Sequence, residues 1–285
     1  MNEKQKTKLG LYLCSVLIMG VIAISSNLAN IIASFPDVSS ATVITCLMSV
    51  PFLLVIPTSL LSGKLMSYFS KKKLIITGVL FWIIGGLAPY FLTSLPAIAV
   101  MRGLLGAGIG LMQPSSNALI VEYFDDQAER KKTMGQLAAS QMLGLIMFSL
   151  LSGTLGTLGK WNITFLIYLI GIIPLIGAII LLPDITPTKR KTSTGAKKQF
   201  VATKFIWVWI LGAMIFMTGA QTYSNTASEL IQELNLGNSI DAGYSLSFYA
   251  VGGLIIGLIF GKISQKLGKY TVLFGGDLVI IGSLL

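Results

Sequence analysis

The sequence predicts an all-α fold, a polytopic bundle of membrane-spanning helices, and its composition and its long uncharged runs carry this prediction. Of the 285 residues, 54% are hydrophobic and only 11% are charged, whereas about 25% of an ordinary soluble domain is charged. The mean hydropathy is +0.80. Because about 20 helical residues cross a bilayer core of about 30 Å, the chain has room for roughly eight to ten spans and for no large aqueous domain.

Uncharged runs define the spans, because a charged side chain at the bilayer centre costs about 3 kcal/mol on insertion scales. Eight complete spans are predicted, and a ninth begins at Thr271 and is still incomplete at Leu285. A Thr-Ser-Leu-Pro break at 93–96 separates the third span from the fourth. The complete spans cover residues 9–36, 38–63, 74–92, 97–120, 133–159, 161–183, 205–228 and 242–261.

The distribution of Lys and Arg predicts the orientation of these spans. If the N-terminus is cytoplasmic, 19 of the 21 basic residues fall in cytoplasmic segments, and only Arg102 and Lys160 do not. Positive charge is retained on the cytoplasmic side of membrane proteins. The bias predicts a multi-pass protein of the cell (plasma) membrane with a cytoplasmic N-terminus. It also accounts for the net charge of +10 without a nucleic-acid partner.

The residue types argue against an enzyme. The chain contains no histidine, which excludes His-based catalytic triads and His metal ligands. The two cysteines, Cys14 and Cys46, fall at depths that differ by roughly 18 Å in neighbouring spans, too far apart for a disulfide. We therefore expect a protein that is not an enzyme and that uses no metal and no cofactor.

One loop pattern occurs twice. Residues 63–75, after the second span, and residues 261–273, after the eighth, each begin with a glycine that ends the span and continue through a short basic turn. The two copies are 198 residues apart. Such duplication is typical of transporters built from two similar halves with the substrate site between them. The repeat divides the chain into a six-span bundle over 1–183, a cytoplasmic linker over 184–203 and the start of a second bundle over 204–285.

The spacing of the repeat also predicts a longer protein. Two halves with this repeat amount to about 396 residues. The 285 residues would then hold one half, the linker, two spans of the second half and part of a third. We expect a chain that is incomplete at its C-terminus.

Both loops carry the pattern of a known family motif, Gly-x-Leu-Ala-Asp-Arg-x-Gly-Arg-Lys. In the first copy Gly63, Lys71 and Lys72 match the motif, and Ser67 stands in place of its acid. In the second copy Gly261, Gly268 and Lys269 match it, and Gln265 stands in place of its acid. On these residues the chain resembles the major facilitator superfamily, most closely its drug-exporting, proton-antiport branch. The resemblance implies that both loops take part in gating.

Two further motifs extend the resemblance. Arg102-x-x-x-Gly106-x-Gly108 matches the fourth-span motif of proton-linked members, and Glu129-Arg130 matches the loop before the fifth span. The resemblance implies a monomeric secondary transporter that works by alternating access and exports a small organic solute, with proton exchange as its coupling. The alternative is a non-transporting or truncated member that acts as a sensor or partner, since both loops have lost their acid.

Polar residues inside the spans are the candidates for a substrate cavity. Arg102 either lines a water-accessible cavity or hydrogen-bonds a neighbouring helix, for instance at Asn27 or Asn30. The amides either line the cavity, as the resemblance implies for spans one, four and seven, or link helices by hydrogen bonds. The candidate cavity residues are Arg102, Asn27, Asn30, Gln113, Asn117, Gln221 and Asn225.

Proton coupling requires a carboxylate that exchanges protons during transport. The candidates are Asp277 in the ninth span and three residues at span edges: Glu122, at the inner end of the fourth span, Glu229 and Asp37. Asp277 either relays protons or pairs with a nearby lysine or helix end.

Glycines are concentrated in the fourth and eighth spans. Small residues there permit helices to approach closely, either to slide during transport or to pack statically. These glycines are Gly103, Gly106, Gly108, Gly110, Gly252, Gly253, Gly257 and Gly261.

Overall fold

The computed structural model describes residues 2–185 and 204–267, and these residues form eight long helices and no strand. Seven of the helices are long and apolar enough to cross a membrane over described residues, which confirms the predicted fold class. The ninth span, with Asp277, and the loop residues Gly268 and Lys269 lie outside the described residues. The helices are α1 (Glu3–Ala33), α2 (Ser40–Leu65), α3 (Lys71–Phe91), α4 (Leu95–Tyr123), α5 (Gln127–Gly156), α6 (Trp161–Leu181), α7 (Lys204–Glu233) and α8 (Ser239–Leu267).

Side-chain caps set where three of the helices begin. Ser39, Ser70 and Asp126 precede α2, α3 and α5, and each accepts a hydrogen bond from a backbone N–H of the first turn. For this reason α3 begins at Lys71 and α5 at Gln127, three and six residues before the predicted spans. An apolar run ends at the first charge, whereas the helix continues to its cap.

Four helices depart from α geometry over part of their length, and in α3 the departure is a final 3₁₀ turn over Ala88–Phe91. In α1, residues Leu17–Asn27 are wound as a 3₁₀-helix, and α6 begins with a 3₁₀ segment over Trp161–Gly171. In α2, a π-helical turn covers Thr45–Ser49. This turn lies just before Pro51, which has no N–H, so the carbonyl of Leu47 loses its usual i+4 donor.

Helix α4 lies at the centre of the first six helices and touches two of its neighbours through glycine. A Cβ on Gly106 would lie 2.0 Å from the Pro51 carbonyl oxygen of α2. Gly108 faces Gly78 of α3 at similarly short range, 2.4 Å from its carbonyl oxygen. These glycines let α4 approach both neighbours at backbone distance.

Aromatic rings pack around this centre. Trp82 is fully buried, with ring centroids 4.8 Å from Tyr168 and 5.8 Å from Phe148. They belong to α3, α6 and α5, so one aromatic cluster joins three helices.

Helices α5 and α8 run antiparallel and form a contact between residues 1–183 and 204–267. Small residues meet along it: a Cβ on Gly135 would lie 2.9 Å from the Gly257 carbonyl oxygen, and one on Gly153 would lie 2.6 Å from that of Ser239. The two glycines are about 27 Å apart along α5 at 1.5 Å per residue. The helices therefore approach closely over most of a membrane thickness.

Candidate functional site

Arg102 is fully buried and binds three other helices. Its Nε donates to the Leu47 carbonyl oxygen of α2 at 2.9 Å, and its two terminal nitrogens donate to the Val21 carbonyl oxygen of α1 at 2.6 Å and to the Tyr168 hydroxyl of α6 at 2.5 Å. That hydroxyl donates in turn to the Gly20 carbonyl oxygen at 2.8 Å. One side chain thus ties α1, α2 and α6 to α4.

The partners of Arg102 lie in the irregular segments. Leu47 is in the π-turn, Val21 in the 3₁₀ segment of α1 and Tyr168 in that of α6. The Leu47 carbonyl is the one left without a donor by Pro51, so the guanidinium replaces a missing backbone bond. Among the described residues its partners are carbonyl and hydroxyl oxygens rather than carboxylates. Dipoles, not a counter-ion, stabilise the buried charge.

The two roles predicted for Arg102 differ in what its side chain contacts. In this structure the side chain is packed inside the bundle and hydrogen-bonds neighbouring helices, with none of its surface exposed to a cavity. Its partners are backbone oxygens and a tyrosine instead of Asn27 or Asn30. Sequence reasoning missed Tyr168, although a lone hydroxyl in an apolar run, which needs a partner when buried, was an available signal.

Asn27 and Asn30 lie together near the end of α1. The Asn30 Nδ2 donates to the Asn27 Oδ1 at 2.6 Å and to the Ser239 hydroxyl of α8 at 3.0 Å. The Asn27 Nδ2 donates to the Thr164 hydroxyl of α6 at 2.6 Å, and the Gln232 Nε2 of α7 lies 3.4 Å from Ser239 Oγ. We call these five residues the amide cluster. Beside it lies a cavity of about 350 Å³.

The other predicted cavity residues whose side chains the structure describes do not belong to the amide cluster. Gln113 is half-buried and Asn117 exposed, and they lie 11 and 15 residues beyond Arg102 along α4. Asn225 is half-buried, and within the described residues its carboxamide oxygen has no hydrogen-bond partner. The side chain of Gln221 lies outside the description.

The end of the bundle that holds the N-terminus of α1, the loop at 66–70 and the start of α5 is rich in lysine, and we call it the basic end. Here Lys71 forms an ion pair with Glu122, which joins α3 to α4. Lys8 pairs with Glu129 at 2.8 Å and joins α1 to α5. Glu122 is therefore held at a helix end by a lysine.

The loop motif is also at the basic end. Gly63 and Ser67 are exposed, Ser67 donates to the Lys64 carbonyl oxygen at 2.5 Å, and Lys72 is half-buried. In the second copy, the surroundings of Gly261 and the side chain of Gln265 lie outside the described residues.

The comparisons with known proteins agree with this architecture. The family model described as "Major Facilitator Superfamily" matches residues 11–285. Among solved structures, the chain is similar to a bacterial homolog of the human lysosomal transporter Spinster in an inward-facing, unoccupied conformation, with a TM-score of 0.68 and 16% identity over 94% of this chain and 64% of that one.

Two other solved structures show the same likeness in fold. One is a variant of a peptide transporter, POT, in complex with alafosfalin, with a TM-score of 0.60 and 14% identity over 94% of this chain and 73% of that one. The other is a D-xylose-proton symporter, with a TM-score of 0.58 and 14% identity over 93% and 68%. The chain spans 64% of the length of the Spinster homolog. Because the family model covers nearly the whole chain, the protein belongs to the Major Facilitator Superfamily.

Proposed function

We propose that the protein is a secondary transporter that moves a small organic solute across the cell membrane by alternating access, and that it exports this solute. The observation that carries the proposal is the contact between α5 and α8. Glycine, alanine and serine meet there backbone to backbone, as at Gly135 against Gly257. Such a surface has few interlocking side chains, so it permits one bundle to rock against the other.

We infer the orientation from the basic end. Lys4, Lys8 and Lys71 lie there together with the 130–132 segment, and retention of positive charge in the cytoplasm supports its assignment as the inner end. The amide cluster is then near the outer surface. We propose a plasma-membrane protein with a cytoplasmic N-terminus, which acts as a monomer.

The polar groups inside the helices favour a neutral or anionic solute over a cation. The described ones are amides and hydroxyls, and the one buried charge, Arg102, is positive. A cationic solute would need an acid to replace its water shell. Among residues 2–185 and 204–267, the fully buried polar groups include no Asp or Glu.

Proton exchange is the coupling that we propose, with Glu122 or Asp277 as the carboxylate. Glu122 is positioned by Lys71 at the end of α4, where water and a moving helix can both reach it, as its side chain is 33% exposed. The ion pair with Lys71 joins α3 to α4, so it links the carboxylate of Glu122 to the contact between these two helices.

Transport by the full-length protein tests the proposed function. We expect purified protein in lipid vesicles to release small neutral or anionic solutes, and to acidify or alkalinise the lumen only when such a solute moves. The measurement is a pH-sensitive dye inside the vesicles, together with mass spectrometry of the released solutes. A protein that moves no solute from a broad mixture, with or without a pH gradient, would favour a non-transporting sensor or partner instead.

Neutral variants of the two carboxylates test the coupling. Glu122→Gln should abolish the dependence of transport on pH and leave the fold intact, because a single, partly exposed ion pair at a helix end contributes only about 1 kcal/mol. Asp277→Asn is the corresponding variant at the second candidate. The matched control is Glu3→Gln, which removes an exposed N-terminal acid. Unchanged coupling in both Glu122→Gln and Asp277→Asn would contradict the assignment.

A further inference from the structure

We propose that Asn27, Asn30 and Ser239 form a latch that holds the two bundles together at the end opposite to the basic end, and that this latch must open for the alternate state. The inference rests on the proposed function, since a latch has meaning only in a protein that alternates. It assigns to the two asparagines a role in gating, which develops the second of the two predicted roles, hydrogen bonding between helices.

The first step is the geometry of Asn30. Its single Nδ2 lies within hydrogen-bond distance of three acceptors: the Asn27 Oδ1 at 2.6 Å, the Ser239 Oγ at 3.0 Å and the Gly156 carbonyl oxygen at 3.2 Å. Ser239 Oγ lies 3.3 Å from the Asn27 Oδ1 as well. Asn27, Asn30 and Gly156 belong to the first bundle, whereas Ser239 is the start of α8. The two hydrogen bonds of Ser239 therefore cross between the bundles, whereas the bonds of Asn30 to Asn27 and to Gly156 lie within the first bundle.

A second hydrogen-bonded contact joins the same two bundles beside Asn27. Ser228 of α7 is fully buried, donates to the Ser26 carbonyl oxygen at 3.0 Å and lies 3.5 Å from the backbone nitrogen of Ala29. Asn27 is the residue at which α1 changes from 3₁₀ to α winding, with φ −109° and ψ 12°. Such a junction leaves backbone groups outside the regular ladder. Ser228 hydrogen-bonds backbone groups on both sides of this junction.

The latch is built to be reversible. Its described members are amides and hydroxyls, and such neutral bonds between membrane helices are individually weak. Asn30, Ser239 and Gln232 also line the 350 Å³ cavity, so water can take over their hydrogen bonds when they separate. Buried ion pairs or interlocked aromatic rings at this position would separate less readily.

The local sequence explains why the latch forms at this depth. Gly156 has no Cβ, and one built there would lie 2.4 Å from the Asn27 Oδ1. At Gly153, one turn earlier, a Cβ would lie 2.6 Å from the Ser239 carbonyl oxygen. The end of α5 thus holds Asn27 and Ser239 against each other.

Labelling of a buried reporter tests the latch without a transport assay. Ala242 is fully buried one turn beyond Ser239, and Ala242→Cys in a full-length chain freed of other cysteines supplies the reporter. We expect Ser239→Ala, which removes two hydrogen bonds between the bundles, to speed the labelling of this cysteine by a membrane-impermeant thiol reagent by about tenfold, and Asn30→Ala, which removes one, by about threefold. Thr157→Ala, at the same cavity but outside the latch, should leave the rate unchanged. A parental rate in both latch variants overturns the proposal.

Cross-linking gives a second, independent measurement. Asn30→Cys with Ser239→Cys places two thiols across the latch, where a short reducible bifunctional reagent can join them. We expect the joined protein to stop transporting and reduction to restore transport. Transport that continues in the joined protein overturns the latch but leaves the transport function standing. A parent protein that moves no solute refutes the proposed function, whereas the labelling result still decides the latch.

Discussion

Replacement of Arg102 by methionine should lower the midpoint of thermal unfolding by about 10 °C, because three helices lose their common partner. Each hydrogen bond from a charged donor contributes about 1.5–3 kcal/mol. Against this, removal of the guanidinium relieves about 2.5–3.5 kcal/mol of burial in the bilayer. With three such bonds the loss exceeds the relief by about 3 kcal/mol, and about 2–4 °C per kcal/mol gives the shift.

Cys14 supplies the measurement. Its thiol is buried, with 1% of its surface exposed, so a thiol-reactive fluorophore will report unfolding during a temperature ramp. Cys46 is half-buried and is replaced by serine, as are any further cysteines of the full-length protein. Arg102→Met fills much of the volume of the arginine, so a cavity contributes little to the result.

Two companion variants separate the charge from the bonds. Arg102→Lys keeps the positive charge, but an ammonium cannot present a planar fork to three acceptors, so we expect a loss close to that of Arg102→Met. Tyr168→Phe removes one partner and its bond to Gly20, and should cost about a third as much. A methionine variant as stable as the parent would show that the burial of charge outweighs the bonds and would refute this account.

The helices could be predicted from the sequence because each span needs a long apolar run, and lipid leaves the backbone few other conformations. Two observed helices begin before the predicted spans, α3 at Lys71 and α5 at Gln127, because capping residues and not charges set where they begin. The 3₁₀ segments were not predictable from the apolar pattern, which has no feature that marks the tighter winding. The π-turn had one signal, Pro51, which deprives Leu47 of a donor.

The candidate site was predictable only from local evidence. Arg102 stood out as the one cation inside a complete span, and Asn27 and Asn30 share a helix face three residues apart and do bond each other. Their distant partners were not predictable: Ser239 is 209 residues from Asn30 in the chain, and Arg102 binds backbone oxygens that every residue carries. Because every residue carries the same carbonyl group, the pattern of residue types does not show which carbonyl a guanidinium will reach.

Gly106→Ala should destabilise the protein about as much as the loss of Arg102, although it adds only a methyl group. The new Cβ would lie 2.0 Å from the Pro51 carbonyl oxygen, and Cβ contacts below 3.0 Å essentially do not occur, so α4 and α2 must separate by at least about 1 Å. Overpacking costs about 1–3 kcal/mol where side chains can yield, and a backbone carbonyl yields less. Gly103→Ala is the matched control, since its Cβ meets Val50 at an ordinary 3.5 Å.

The effects of substitutions at Arg102 and Gly106 on stability should not be additive. Arg102 lies one turn before Gly106 on the same face of α4, so a displacement of α4 at Gly106 lengthens the 2.9 Å bond from Arg102 to Leu47. In an Arg102→Met background that bond is already absent, and Gly106→Ala should cost about 1 kcal/mol less than in the parent protein. The Cys14 melts of the parent, the two single variants and the double variant measure this difference. Strictly additive shifts would show that Gly106 sets helix packing alone and does not position Arg102.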